Sequence, residues 1–285
     1  MIYNHLPANI LLAGICVASV VMILMENRMT FSLARRHLWK MAAVALPSKQ
    51  AIRAEPVPDY FPAHPPGMVR EMVTVAHGNF KRVKELVDAR PTLAKAAIDW
   101  GFGDWEDALG AASHVGNREI AQYLIANGAR PTLFSAAMLG QLDTVKAFLS
   151  AQPGAQKIPG PHSISLLAHA KAGGRQAETV SEYLESLGDA GSPKRPPLSI
   201  EDATELAGAY SFGAGPDECI EVTAKGDQLT FVRKGTIGRG LVHLGDHAFH
   251  PVGASAVRIQ FSGSGANAML SVHDADMIIM ARRVP

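Results

Sequence analysis

Residues 103–130 read GDWEDALGAASHVGNREIAQYLIANGAR, in which two short apolar helical segments flank Gly116. A glycine in the same setting recurs three more times, at Gly78, Gly140 and Gly174. An alanine stands four residues before three of these glycines, at Ala112, Ala136 and Ala170. Glycine adopts the left-handed conformation that reverses the chain between two antiparallel helices, and alanine lets the paired helices approach closely. The pattern therefore predicts helix pairs, spaced 38, 24 and 34 residues apart, whose apolar faces form a core only when they stack.

The helical pattern resembles the ankyrin repeat, whose core reads G-x-T-P-L-H-x-A-A-x-x-G-H-x-x-V-V-x-L-L-L. Gly128-Ala129 matches the Gly-Ala that ends a repeat of that family, and Leu167 matches the leucine of its T-P-L-H core. Residues 103–130, together with AAMLGQLDTVKAFL at 136–149, are similar to an uncharacterised bacterial group of exported ankyrin-repeat proteins. The resemblance implies an ankyrin-repeat α-solenoid of about four units over residues 67–188, which binds a protein partner.

Residues 99–107 differ from a plain repeat because they carry two tryptophans and a phenylalanine among four carboxylates. Aromatic anchors surrounded by polar groups are typical of protein-binding hot spots. We expect the partner-binding residues to be Trp100, Phe102, Asp104 and Trp105. In the alternative interpretation, Trp105 packs beneath the following helix and Asp104 caps that helix.

A Gly/Pro/Ser-rich linker at 189–197 separates the helical region from residues 198–285, in which apolar and polar residues alternate. Eight strands are predicted, at 209–212, 219–224, 228–232, 240–244, 247–251, 257–262, 268–273 and 277–282. Several turns between them are short, and strands joined by short turns pair antiparallel. The C-terminal region is therefore expected to be a small antiparallel β-meander that curls toward a barrel.

Three marks of this region resemble the small lipocalin-like β domain that is appended to exported β-lactamase-like and peptidase-like proteins. They are LAGAY at 206–210, the segment 241–249 and RRV at 282–284. In that family the domain is an accessory and not a catalytic unit. The expected fold class is α + β multidomain, an ankyrin-repeat α-solenoid followed by a small antiparallel β-meander or barrel-like domain.

Residues 1–54 form a leader with two overlapping targeting signals. Residues 8–25 are uncharged and apolar, near the lower limit of about 17–25 residues for a bilayer-spanning helix. Residues 29–54 resemble a twin-arginine export signal, in which Arg35 and Arg36 form the arginine pair. A Pro-rich arm follows at 55–66. We expect export to the periplasm or cell envelope; the alternative is an inner-membrane anchor, in contact with the membrane through 8–25, and a cytoplasmic body.

Composition and motifs argue against several classes of function. The leader holds six of the 27 Lys and Arg residues and one of the 26 Asp and Glu residues, so the rest of the chain is mildly acidic and ill suited to nucleic acid. Two cysteines exclude a disulfide scaffold and a CxxC zinc site. The sequence contains no phosphate-binding loop, nucleophile elbow or HExxH motif. We therefore expect no enzyme activity, no catalytic residues and no cofactor.

The histidines are expected to bind no metal. His243, His247 and His250 are interrupted by a turn and do not face one side, whereas metal ligands must converge on one point. His114, His162 and His169 also lie in the helical region. The resemblance implies that these bond backbone groups between repeats.

The sequence thus favours a non-catalytic protein–protein interaction module at the bacterial cell envelope. The alternative is a carrier or sensor of a small apolar ligand, which the C-terminal β domain encloses. Its pocket would be lined by Phe231, Val242, Phe249, Ile259 and Phe261. A filled barrel interior would argue against this alternative.

Overall fold

The structure is a computed structural model that describes residues 56–284. The leader, with its apolar segment 8–25 and the predicted export residues Arg35 and Arg36, lies outside the described residues. From Asp59 onward the described chain forms one compact unit that contains both the helices and the barrel. Within residues 56–284, no helix has the length and apolar character needed to cross a membrane.

Short helices make up about the first two thirds of the described chain. They are α1 (Pro66–Val75), α2 (Phe80–Ala89), α3 (Ala108–His114), α4 (Arg118–Ala126), α5 (Leu133–Met138), α6 (Leu142–Ala151), α7 (Leu166–Ala172), α8 (Glu178–Leu187) and α9 (Ile200–Leu206). Polar side chains fix several of their first turns, as where Asn117 accepts a hydrogen bond from the Ile120 N–H at 3.1 Å. Of the glycines predicted to be left-handed, Gly116, Gly140 and Gly174 have positive φ and Gly78 does not.

The predicted ankyrin-repeat α-solenoid is wrong, because the connections between the helix pairs differ and the core is not continuous. A two-stranded sheet joins α2 to α3, an irregular loop joins α4 to α5, and two 3₁₀ turns join α6 to α7. The buried apolar residues form one cluster built mainly by α1–α4 and a second built by α5–α8. A regular solenoid needs similar units that stack into one core, and spacings of 38, 24 and 34 residues do not supply them.

The two-stranded sheet is a β-hairpin of β1 (Ala97–Asp99) and β2 (Trp105–Asp107), which pair antiparallel. Side chains alternate along a strand, so Trp105 is 59% exposed whereas Glu106 is fully buried. Asp107 caps α3 by accepting from the Gly110 N–H. The prediction that Asp104 caps this helix is therefore wrong, because the cap is Asp107, the last residue of β2. The prediction that Trp105 packs beneath the helix is also wrong, because its side chain is exposed.

The C-terminal part is a closed, eight-stranded antiparallel barrel. Its strands are β3 (Gly208–Ser211), β4 (Cys219–Lys225), β5 (Gln228–Arg233), β6 (Arg239–Gly245), β7 (Ala248–Pro251), β8 (Arg258–Ser262), β9 (Met269–Asp274) and β10 (Met277–Arg283). Each strand pairs with the next in sequence, and β10 closes the barrel against β3. All eight predicted strands are confirmed, with bounds that differ by at most one residue.

Candidate functional site

The β1–β2 hairpin lies against one end of the barrel, which we call the mouth, where β5 ends and β6 begins. The ring of Phe102, in the hairpin turn, lies 6.3 Å from the ring of Phe231. Helix α9 does not belong to the mouth but packs where β3 begins. Tyr210 of β3 donates a hydrogen bond from Oη to the carbonyl of Leu206, the last residue of α9, at 2.9 Å. The hairpin, which precedes the barrel in the chain, thereby becomes part of the mouth.

The mouth contains a cavity of about 720 Å³. Its apolar wall combines Phe102 of the hairpin with five barrel residues, Phe212, Ile220, Phe231, Val272 and Ile279. Its charged groups are Arg70, Asp99, Arg233 and Arg239. A mainly apolar cavity with a few convergent polar groups is the usual form of a small-molecule site.

Two arginines of this cavity lie over aromatic rings. The guanidinium of Arg70 is 5.9 Å from the centre of the Trp100 ring, and that of Arg233 is 5.6 Å from the centre of the Phe212 ring. Neither arginine forms an ion pair within residues 56–284. Stacking on aromatic rings holds a guanidinium in place while its N–H groups stay available to an anion.

The deeper part of the barrel is filled by side chains. Tyr210 and Phe261 pack edge to face at 5.7 Å, and Phe249 packs against Phe261 at 5.5 Å. Of the five residues predicted to line a pocket, only Phe231 lines the mouth cavity. Phe249, Ile259 and Phe261 belong to the packed interior, whereas Val242 is buried on the opposite face of the sheet, where it pairs with His250. The filled interior contradicts the pocket predicted inside the barrel, and the cavity is confined to the mouth.

A buried ionic cluster lies beside the mouth, centred on Asp104. This carboxylate is 3% exposed and pairs with Arg239, which reaches it from the start of β6. His162 donates to it twice, through its backbone N–H at 2.9 Å and through Nδ1 at 2.7 Å. Burial raises the pKa of Asp104, but the bonds from His162 and Arg239 outweigh burial and hold that pKa below its usual value.

Glu106 is the second carboxylate of the cluster and is fully buried. Its Oε2 accepts from Trp100 Nε1 at 2.8 Å and lies 3.3 Å from Nε2 of His162. Its Oε1 lies 3.1 Å from Nδ1 of His114, but the two atoms are not aligned as a hydrogen bond, and both lack one. Burial opposes ionisation, yet the imidazoles of His114 and His162 lower the pKa of Glu106 to about 2.

His162 and His169 have pKa values that are shifted in opposite directions. Burial disfavours the charged form of His162, but Asp104 and Glu106 outweigh burial and raise its pKa to about 9. Burial lowers the pKa of His169 to about 4, so its ring is neutral. Nδ1 of His169 donates to the carbonyl of Ser165, the N-cap residue of the same helix, at 2.9 Å. This is a backbone bond within one helix, and not the bond between repeats that was predicted. The ring of His162 instead bonds a carboxylate.

The loop that supplies His162 has a strained backbone. His162 and Ser163 both have left-handed φ values, 57° and 58°, which are uncommon for residues other than glycine. Asp104 holds the His162 N–H, and Ser163 Oγ accepts from the Gly253 N–H at 2.9 Å. Strained residues of this kind persist where the surroundings fix them and are concentrated at functional sites.

The predicted partner-binding residues do not share one surface. Trp100 and Phe102 line the mouth cavity, and Asp104 is buried in the ionic cluster. Trp105 lies on the other side of the hairpin, at an apolar groove of about 540 Å³ that also includes Phe148. The hairpin therefore contributes to three different environments.

The spacing of residues in the sequence did not predict which side chains meet Asp104 and Glu106. They are those of His77, His114, His162 and Arg239. Asp104 and Arg239 are separated by 135 residues, and short-range spacing cannot place them together. One local signal was available, since an alternating strand at 105–107 places Glu106 opposite to Trp105 and hence toward the core.

A scan against protein-family models and a search of curated proteins found no significant match to this chain. The mouth cavity and the ionic cluster are therefore the observations on which a function can be proposed.

Proposed function

We propose that the protein is a carrier or sensor that binds an amphipathic anion in the mouth cavity. The observation that carries this proposal is that aromatic residues of the hairpin and of the barrel enclose one cavity together with stacked arginines. Ligand sites in proteins have volumes of about 300–1,000 Å³ and a mainly apolar lining. The mouth cavity, at about 720 Å³, is within that range.

The charges of the cavity favour a ligand with an anionic head group. Arg239 is neutralised by Asp104, whereas Arg70 and Arg233 form no ion pair in the described chain. A carboxylate, sulfonate or phosphate group would accept hydrogen bonds from one of these guanidiniums, which bind such groups in a bidentate manner. The apolar body of the ligand would then contact Phe102, Ile220 and Phe231.

Dodecanoate and dodecanol test this proposal, because they share an apolar chain and differ in the head group. We expect the full-length protein to bind dodecanoate about tenfold or more tightly than dodecanol, since a charge-assisted hydrogen bond contributes about 1.5–3 kcal/mol. Arg233→Gln should weaken dodecanoate binding by about tenfold and leave dodecanol binding unchanged. Isothermal titration calorimetry below the micelle threshold measures both ligands.

The matched control is Arg195→Gln, which removes an exposed arginine of the linker that does not line the cavity. It should bind dodecanoate as the wild type does. Equal affinity for the two ligands, or equal weakening by Arg233→Gln and Arg195→Gln, would contradict the anion site. Absence of binding to both ligands would contradict the carrier function as a whole.

We also propose, as a second candidate, that a protein partner docks at the groove beside Trp105. The observation that favours it is a contiguous set of exposed apolar side chains, with Trp105 59%, Phe148 44% and Ile158 63% exposed. Exposed apolar patches with an aromatic anchor are typical of protein-binding sites. The expected partner presents an apolar side chain to this groove, in the non-catalytic role of an interaction module at the cell envelope.

Trp105→Ala should abolish stoichiometric capture of such a partner, because truncating a hot-spot tryptophan costs about 2 kcal/mol or more. The measurement is crosslinking and co-purification from the envelope of the producing cell. Ile200→Ala serves as the control, since Ile200 is also 59% exposed but lies on α9, away from the groove. A partner that Trp105→Ala retains, or that both variants lose, would exclude the groove as its site.

A further inference from the structure

We propose that His77, Glu106, His114 and His162 bind one divalent transition-metal ion of the zinc type. Each of these side chains offers a ligand atom, and the four atoms lie within 4.8 Å of one another. The residues come from four separate parts of the chain: the end of α1, strand β2, the end of α3 and the loop before α7. This proposal is independent of the anion site in the mouth cavity.

The distances between the ligand atoms suit a single ion. Zinc bonds nitrogen and oxygen ligands at about 2.0–2.1 Å, so neighbouring ligands of a tetrahedral site are about 3.3 Å apart. Glu106 oxygens lie 3.1 Å from His114 Nδ1, 3.3 Å from His162 Nε2 and 3.9 Å from His77 Nε2. The four atoms lie within 4.8 Å of one another, so the widest pair would close by up to about 1.5 Å to reach four-coordinate geometry.

Two of the imidazoles are held in the orientation that metal binding requires. Nδ1 of His77 lies 3.1 Å from the Val73 carbonyl and 3.0 Å from the Thr74 carbonyl. Because a carbonyl only accepts, this Nδ1 carries the hydrogen, and the lone pair of Nε2 faces Glu106. Nδ1 of His162 likewise donates to Asp104 while Nε2 faces Glu106. Metal-bound histidines typically donate their second N–H to a carbonyl or carboxylate in this way.

Two ligand atoms of the group have no hydrogen bond. Glu106 Oε1 and His114 Nδ1 are buried and unpartnered in the described chain, although they face each other at 3.1 Å. Buried polar atoms are nearly always satisfied, so an unpartnered pair indicates a site for a water or an ion, or local strain. A cation between them would satisfy both atoms. The ion pairs that Asp104 forms with Arg239 and His162 do not involve these two atoms and therefore do not satisfy them.

The donor set selects the class of metal. Imidazole nitrogens suit zinc, copper, nickel and iron, whereas calcium and magnesium take mainly oxygen ligands.

A small pocket of about 240 Å³, lined by His77, Trp100 and His162, connects the group to the surface beside the mouth. Trp100 Nε1 donates to Glu106 Oε2 and thereby orients the carboxylate, a supporting contact of the kind that accompanies protein metal sites.

Metal titration of the untagged, full-length, chelator-treated protein tests the proposal. We expect equilibrium dialysis with metal analysis to give one Zn²⁺ per chain, and Co²⁺ to give the visible absorption of a four-coordinate ion. His77→Gln and His162→Gln should each weaken Zn²⁺ binding by at least tenfold. His64→Gln is the matched control, because Nε2 of His64 forms a hydrogen bond with Thr92 Oγ1 at 2.7 Å, outside the group. It should bind Zn²⁺ as the wild type does.

Zn²⁺ should also raise the Tm of the wild type and of His64→Gln, because an ion that binds only the folded chain stabilises it. His77 is partly exposed, so His77→Gln is expected to stay folded without metal and to show no such rise in Tm. If His162→Gln fails to fold, His77→Gln decides the outcome. No stoichiometric Zn²⁺, or Zn²⁺ binding that is unaffected by His77→Gln, would overturn the proposal, as would an equal loss in His64→Gln.

Discussion

Asp104→Ala is expected to lower the free energy of unfolding by about 3–5 kcal/mol, because removing one partner of a buried ion pair leaves the other charge uncompensated. Asp104 is 3% exposed and Arg239 is 7% exposed, so the guanidinium would stay buried without a counter-charge. The backbone N–H of His162 would lose its acceptor as well. Urea denaturation of the full-length protein, followed by far-UV circular dichroism, measures the change.

The control for this variant is Asp227→Ala, which removes the same charge from an exposed turn between β4 and β5. Surface substitutions of this kind usually change stability by about 0.5 kcal/mol or less. A loss below about 1 kcal/mol for Asp104→Ala would mean that Arg239 reaches solvent or another acceptor when the carboxylate is absent. In that case the ionic cluster would not hold the hairpin against the barrel.

The barrel could be predicted from the sequence because its information is local. Alternation of apolar and polar residues marks each strand, and short turns force neighbouring strands to pair antiparallel. Each of the eight strands was therefore located to within one residue. Closure of β10 against β3 depends on strand number and tilt, which are not local properties, and the sequence predicted only a tendency to curl.

The helical region was predicted less well, because the glycine pattern reports on single turns. Gly116 and Gly140 do reverse the chain in the left-handed conformation. How one helix pair packs on the next depends on the segments between them, and residues 97–107 form a β-hairpin there. A pattern of glycines and alanines carries no information on that insertion, so an ankyrin-repeat solenoid was inferred where the connections are irregular.

The candidate sites could be predicted only in part. The composition of residues 99–107 drew attention to this segment, but its aromatic and acidic side chains were treated as one surface. In the structure, Trp105 and Glu106 point to opposite sides of β2. The partners of the acidic side chains come from α1, α3, the His162 loop and β6, so only the folded chain brings them together.

Trp100 belongs to both candidate sites. Its ring lines the mouth cavity, and its Nε1 donates to Glu106 Oε2 within the proposed metal ligands. A substitution of Trp100 would therefore disturb anion binding and metal binding together. Arg233 lines only the mouth cavity and His77 only the small pocket beside it, so variants at these two residues separate the two proposals.

Gly253→Ala is expected to destabilise the protein by about 3–5 kcal/mol, nearly as much as Asp104→Ala. Gly253 has a φ of 83°, which costs an alanine about 1–2 kcal/mol. A Cβ atom at this position would also overlap the carboxylate of Asp104, which packs directly against the Gly253 backbone. Relief of that overlap requires either the Asp104–Arg239 pair or the loop after β7 to move. The same urea denaturation measures the loss.

Gly226→Ala separates the two causes, since Gly226 has a φ of 62° but no atom near its added Cβ. Its free energy of unfolding should fall by only the about 1–2 kcal/mol that a left-handed backbone conformation costs an alanine. In the double variant Asp104→Ala/Gly253→Ala the new Cβ meets no carboxylate, so the combined loss should fall short of the sum by about 1–3 kcal/mol. Strict additivity would mean that Gly253 is required for its backbone conformation alone. The shortfall would instead show that this glycine exists to let the hairpin carboxylate reach Arg239.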